Sequence, residues 1–118
     1  MTAQASNLPL AHISVEELAE RLAAGDRLQL IDVREPEELA IASLDPFHNL
    51  PLSQFAQWSG QVQTQLDPHA ETVVMCHHGV RSAQMCHWLL NQGFTHVKNL
   101  TGGIDAYSTA VDPTVPRY

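Results

Sequence analysis

Two short apolar runs do most to decide what this chain can fold into. Leu28 to Val33 reads LQLIDV, apolar apart from Gln29 and Asp32, and Thr72 to Met75 reads TVVM. Runs this short and β-branched are strands, and strands without a polar face are covered on both sides. Parallel neighbours in such a sheet need crossover helices, and helical patterns stand between the runs. Ser14 is placed to cap a helix, with Glu17 as its capping-box partner, Val15, Leu18 and Leu22 on one face, and Gly25 past the end. Pro36 and the acidic Glu37 and Glu38 open a helix from Pro36 to Ala42. A short strand follows around Phe47 to Leu50, Ser53 is placed to cap a helix through Trp58, and residues 60–70 read as a loop with partial helix. After Met75 a helix runs from about Arg81 to Gln92 and closes at Gly93. HVKNL is a further strand, Gly102 and Gly103 turn the chain into a short helix over 104–109, and Pro113 and Pro116 mark an extended tail. The expectation is an α/β fold in one domain over residues 1–118, a central, mainly parallel sheet with helices on both faces. Residues 1–10 and 110–118 are expected to be peripheral.

The net charge is −7, and the six Lys and Arg are scattered singly. No basic stripe exists, which argues against nucleic acid as a partner. No apolar run approaches the roughly 20 residues that span a bilayer, and the opening residues lack the charged and apolar regions of a signal peptide. No membrane association and a cytoplasmic location are therefore expected. The two cysteines, Cys76 and Cys86, are too few for a disulfide framework and form no Cys-x-x-Cys pair.

In a parallel α/β sheet, ligands bind beyond the carboxyl ends of the strands, and Cys76 leaves a strand at that end. The loop Cys76-His77-His78-Gly79-Val80-Arg81-Ser82 then enters a helix. Backbone N–H groups of a tight loop and a helix N-terminus converge there on an anion, and a thiolate is an anion. Gly79 permits a positive φ, Arg81 brings a permanent cation, and Ser82 can orient the loop. A lone cysteine is more often a small core residue; it is the constellation that points to a nucleophile facing an anion cradle.

The stretch CHHGVRSAQMCHWLLNQGF resembles the active-site pattern of the rhodanese family, LIDVREPEEL resembles its aspartate-valine-arginine segment, and VKNLTGGIDAY its C-terminal strand and double glycine. The resemblance implies a single-domain rhodanese-like fold and a sulfurtransferase that carries sulfane sulfur as a persulfide. By position it implies Cys76 as the sulfur carrier, His77, His78, Gly79, Val80, Arg81 and Ser82 as the substrate cradle, and Arg81 as the contact to a substrate anion. Asp32 and Arg34 match a strand-end pair, read here as a structural salt bridge supporting the site. The implied partners are a small sulfur-containing anion such as thiosulfate, or a protein persulfide, with cyanide, a thiol or a protein as sulfur acceptor. No cofactor is expected. The turn ASLDPFHNLP departs from the family pattern, and Tyr107 stands where a tryptophan is common.

Three rival readings remain. Cysteine-dependent phosphatases and arsenate reductases also pair a cysteine with an arginine, but the phosphatase pattern has five residues between them and this loop has four. A metal could use Cys76, His77, His78, Cys86 and His87, yet Cys86 and His87 point about 100° apart on their helix, and no metal is expected. Ser82, Met85, Cys86 and Leu89 form the inward stripe of that helix, making Cys86 a core residue. A protein-binding or regulatory module, or a sulfur-relay module, with little small-molecule turnover is the third; the purely binding or regulatory form is disfavoured because Cys76 is present.

Overall fold

The computed structural model describes residues 9–118; residues 1–8, most of the expected N-terminal extension, lie outside the described residues. Five strands, β1 (Ala11–Ile13), β2 (Gln29–Asp32), β3 (His48–Asn49), β4 (Thr72–Met75) and β5 (Val97–Leu100), form one sheet in the order β1-β5-β4-β2-β3. Every pairing is parallel. The helices are α1 (Val15–Ala23), α2 (Pro36–Ile41), α3 (Phe55–Trp58), α4 (Val62–Gln65), α5 (Val80–Asn91) and α6 (Gly103–Ala110).

The sheet is buried on both faces, as the apolar runs require. Val74 and Cys76 face one side, where they meet Met85, Cys86 and Leu89 of α5 and Trp58 of α3. Val73 and Met75 face the other, against Val15 and Leu18 of α1 and Ile104 of α6. Each such fully buried aliphatic side chain contributes about 1.5–3 kcal/mol, so β4 is the most firmly held strand and Cys76 sits at its rigid end. No helix among the described residues is long and apolar enough to cross a membrane.

Three local features differ from the sequence reading. Residues Ala11–Ile13 form an edge strand, where the sequence reading assigned no element. Ile13 alone of the three is buried, so periodicity cannot reveal the strand; pairing with β5 creates it, continued by the Thr101 N–H donating to the Ile13 carbonyl at 3.0 Å. Ser53 caps no helix. It lies inside a 3-10 turn, Leu52–Gln54, and donates its backbone N–H to Glu35 Oε2 at 3.2 Å, with its hydroxyl also on Glu35. The tail after α6 runs back over the fold, where Val115 is buried and its carbonyl accepts from the Ser108 hydroxyl at 2.5 Å. Its last residue, Tyr118, lies against the loop that follows β4.

Candidate active site

The chain leaves β4 at Cys76 and must turn within three residues to begin α5. Gly79 makes that turn, at φ +109° as the N-cap of α5, a conformation that disfavours any residue with a Cβ. The fold brings Cys76 Sγ to 3.1 Å from the Gly79 N–H and 3.2 Å from Ser82 Oγ.

The orientation of the loop's peptide groups is imposed by α6. The Ile104 N–H donates to the Cys76 carbonyl at 3.0 Å, and the Asp105 N–H to the His77 carbonyl at 3.1 Å. In a trans peptide the N–H points opposite to its carbonyl, so pinning these two carbonyls on α6 turns the N–H groups of His77 and His78 the other way. Gly103 allows the approach: a Cβ there would fall 2.5 Å from the Cys76 carbonyl oxygen. Asn99, the buried polar residue of β5, completes the frame. Its Nδ2 donates to the Gly79 carbonyl at 3.1 Å, and its Oδ1 accepts from the Ser82 hydroxyl at 2.5 Å.

The two thiols are driven in opposite directions. Burial pushes the Cys76 thiol up, but the Ser82 hydroxyl and the backbone N–H groups of Ser82, Gly79 and His78 outweigh it and hold the group below its ordinary value. Cys86 is equally buried without such donors, and burial, then the Cys76 charge, push it up to about 12. Cys86 lies on the inward stripe with Ser82, Met85 and Leu89, all buried.

The charged residues around the loop are paired. Arg34 is fully buried and holds Asp32 through Nε at 3.0 Å and Nη2 at 2.7 Å, and the Asp32 carboxylate also accepts the Arg34 backbone N–H at 3.0 Å. This is the structural strand-end pair the sequence suggests. Arg81, expected to meet a substrate anion, is engaged by Glu38 in a bidentate pair at 2.6 and 2.9 Å. That pairing holds the Glu38 carboxyl down at about 2, against the opposing effect of its burial. Val80 opens α5 with its side chain exposed beside the loop. His77 stacks on Tyr118 with ring centroids 3.8 Å apart and planes 3° apart. Burial, and next the charge of His78, hold His77 below its ordinary value.

His77, His78 and Asp105 bring potential metal ligands within 4.8 Å of one another. The two imidazoles lie nearly face to face, centroids 3.8 Å apart and tilted 31°, so their lone pairs run side by side instead of converging. Asp105 is meanwhile bonded to Arg117 at 2.9 and 3.3 Å. The arrangement does not suit a chelated ion.

Sequence reasoning missed Asn99, Glu38 and Tyr118 as parts of this neighbourhood. Asn99 alternates with Val97 in the strand VKNL, and a polar residue on that buried face was a usable signal. Glu38 reads as a helix-dipole charge and Tyr118 as tail, and nothing in their spacing links either to the loop.

Residues 14–110 match the rhodanese-like domain family. A rhodanese-like/PpiC domain-containing protein 12, chloroplastic, of Arabidopsis thaliana is 48% identical over 113 residues, covering 93% of this chain and only 38% of that protein. A sulfurtransferase of Allochromatium vinosum is 32% identical over 101 residues, covering 81% of this chain and 86% of the relative. Among solved structures, the human single-domain sulfurtransferase TSTD1 superposes with a TM-score of 0.70 at 25% identity, over 86% of this chain and 98% of that one. With the pinned cysteine loop at the carboxyl end of a five-stranded parallel sheet and matches that run across almost all of the described residues, the chain belongs to the rhodanese-like domain family of sulfurtransferases.

Proposed function

We propose that this protein moves sulfane sulfur through a persulfide on Cys76. The observation that carries the reading is the ring of donors on one sulfur: the Gly79 N–H at 3.1 Å and the Ser82 hydroxyl at 3.2 Å, with the N–H groups of His78 and Ser82. Such a ring favours an anionic sulfur, whether thiolate or persulfide. The Cys76 thiolate attacks the outer sulfur of a donor. A new S–S bond forms to Cys76, the donor's own S–S bond breaks, and its electron pair leaves with the departing group, sulfite from thiosulfate or a thiolate from a persulfide. Taken from thiosulfate, the terminal sulfur then attached to Cys76 keeps one negative charge within reach of the same donors; taken from R–S–SH it arrives with its hydrogen. A thiophile such as cyanide or a thiol attacks that sulfur, and the electron pair returns to Cys76. Val80, 70% exposed at the loop's edge, leaves room for a protein thiol as acceptor. A reducing setting such as the cytoplasm suits the chemistry, and both cysteines are free thiols; the chloroplast enters only through the name of the Arabidopsis relative.

Intact mass after incubation with a sulfane donor tests this. Wild type and Cys86→Ser are expected to gain one sulfur atom that cyanide removes, and Cys76→Ser to gain none. Cyanide-labile sulfur on Cys76→Ser would overturn the assignment.

A further inference from the structure

The charge of a sulfur site decides which donors can approach it, and here every nearby cation already has a partner. Among the described residues, Arg21, Arg34, Arg81, Lys98 and Arg117 each lie within hydrogen-bond distance of a carboxylate. Arg27 precedes β2 and stands at the amino end of the sheet, opposite Cys76. His78 Nε2 lies 3.9 Å from the Asp105 carboxylate.

Glu38 is the partner that matters, because Arg81 is the cation on the loop itself. Its carboxylate is saturated. Oε1 accepts from Arg81 Nη1 at 2.6 Å and from the Glu35 N–H at 3.0 Å; Oε2 accepts from Arg81 Nη2 at 2.9 Å and from the Tyr118 hydroxyl at 2.7 Å. The Tyr118 hydroxyl in turn accepts from Arg34 Nη1 at 2.9 Å. A chain of bonds thus runs from Asp32 through Arg34, Tyr118 and Glu38 to Arg81 and holds both guanidiniums. Glu38 takes two of the five Arg81 N–H groups and offsets the guanidinium charge, so a small anion that sought the remaining N–H groups would meet a cation already neutralised, with a carboxylate beside it.

We propose that Glu38, latched by Tyr118, determines donor specificity by neutralising Arg81 toward small dianions, so that the physiological donor is a thiol persulfide and thiosulfate is a poor one. The inference rests on the sulfurtransferase reading. Thiosulfate brings two negative charges to a thiolate, with Glu38 close by and no free cation. A thiol persulfide R–S–SH brings at most one. In the favoured reaction the Cys76 thiolate takes the outer sulfur and its hydrogen, giving Cys76–S–SH, and the old S–S bond breaks with its electron pair leaving on R–S⁻; atoms and charge balance. Glu38 acts here as a positioning residue, through Arg81.

Single-turnover loading of Cys76, followed by intact mass, from thiosulfate and from 2-hydroxyethyl persulfide tests this. Wild type is expected to load at least about tenfold more efficiently from the persulfide. Glu38→Gln keeps the acceptor for the Glu35 N–H but drops the charge, and it is expected to improve thiosulfate loading about tenfold, the scale of one charge-assisted hydrogen bond. The gain should lie in the half-saturating concentration and leave persulfide loading within about twofold. It should vanish in Glu38→Gln/Arg81→Ala, and Tyr118→Phe should move thiosulfate the same way by less. Unchanged or slower thiosulfate loading by both Glu38→Gln and Tyr118→Phe, or a gain that survives loss of Arg81, overturns the proposal. Equal use of the two donors by wild type overturns it too. Loading from neither donor instead refutes the sulfurtransferase reading, a separate and distinguishable failure.

Discussion

The Ser82 hydroxyl has one proton and two acceptors, Asn99 Oδ1 at 2.5 Å and Cys76 Sγ at 3.2 Å. Against a neutral thiol the proton sits on Asn99; against an anionic sulfur it is drawn to the sulfur, whereas the Gly79 N–H cannot turn away in either state. The backbone donors therefore provide the constant part of the stabilisation and Ser82 the part that responds to charge. Asn99→Ala frees Ser82 but unfastens the Gly79 carbonyl, and the second effect is expected to win, because a loop donor is then no longer fixed. The Cys76 pKa should rise, through the loss of one fixed hydrogen bond worth about 1 kcal/mol, as read from the pH dependence of alkylation. A pKa that falls would show that Asn99 competes with the sulfur for Ser82 more than it braces the loop. The turn at Gly79 and the approach of Ser82 to Cys76 were legible in the sequence because they are local, six residues at most from Cys76. Asn99 lies 17 residues from Ser82, and Glu38 lies 43 from Arg81, distances at which only the folded sheet makes neighbours.

At the scale of elements, the site is the meeting of β4, α5 and the first turn of α6. The double glycine that ends β5 is needed because α6 must start almost on top of the loop. Gly103 has φ +62° and no room for a Cβ against the Cys76 carbonyl. Gly103→Ala should cost at least about 1–2 kcal/mol for the left-handed backbone alone, about 5 °C or more in Tm for a chain of this size, and should slow sulfur loading because the two pinned carbonyls are pushed away. A variant with wild-type Tm and loading would mean that α6 does not orient the loop. The buried strands and the long helices were readable from apolar runs, caps and glycines. The edge strand β1 was not, since its residues carry almost no burial pattern and owe their conformation to β5.

For the molecule as a whole, few cations must serve many carboxylates, and the paired ones make stability sensitive to acid. Hydrogen bonds from Arg81 hold Glu38 down from 4.5 to about 2, and bonds from Arg21 do the same for Glu71. A carboxylate with a depressed folded-state pKa adds stability that is present above its unfolded pKa and lost as pH falls through the folded one. Stability should therefore drop between about pH 4.5 and 2, and the drop should be shallower in Glu38→Gln and Glu71→Gln, measured by denaturant unfolding across that window. A slope unchanged in both variants would place the acid sensitivity elsewhere. Cys86 adds a limb at the other end: its thiol is raised to about 12 when folded, so alkaline pH favours the unfolded chain.

One sulfur kept anionic by a pinned loop is the claim on which these scales converge, and iodoacetamide alkylation with peptide mapping across pH reads it directly. Cys76 should alkylate with a midpoint below the ordinary thiol value of about 8.5, and Cys86 should stay unmodified until the protein unfolds. A Cys76 midpoint at or above that value, or equal labelling of the two cysteines in the folded protein, would contradict the account.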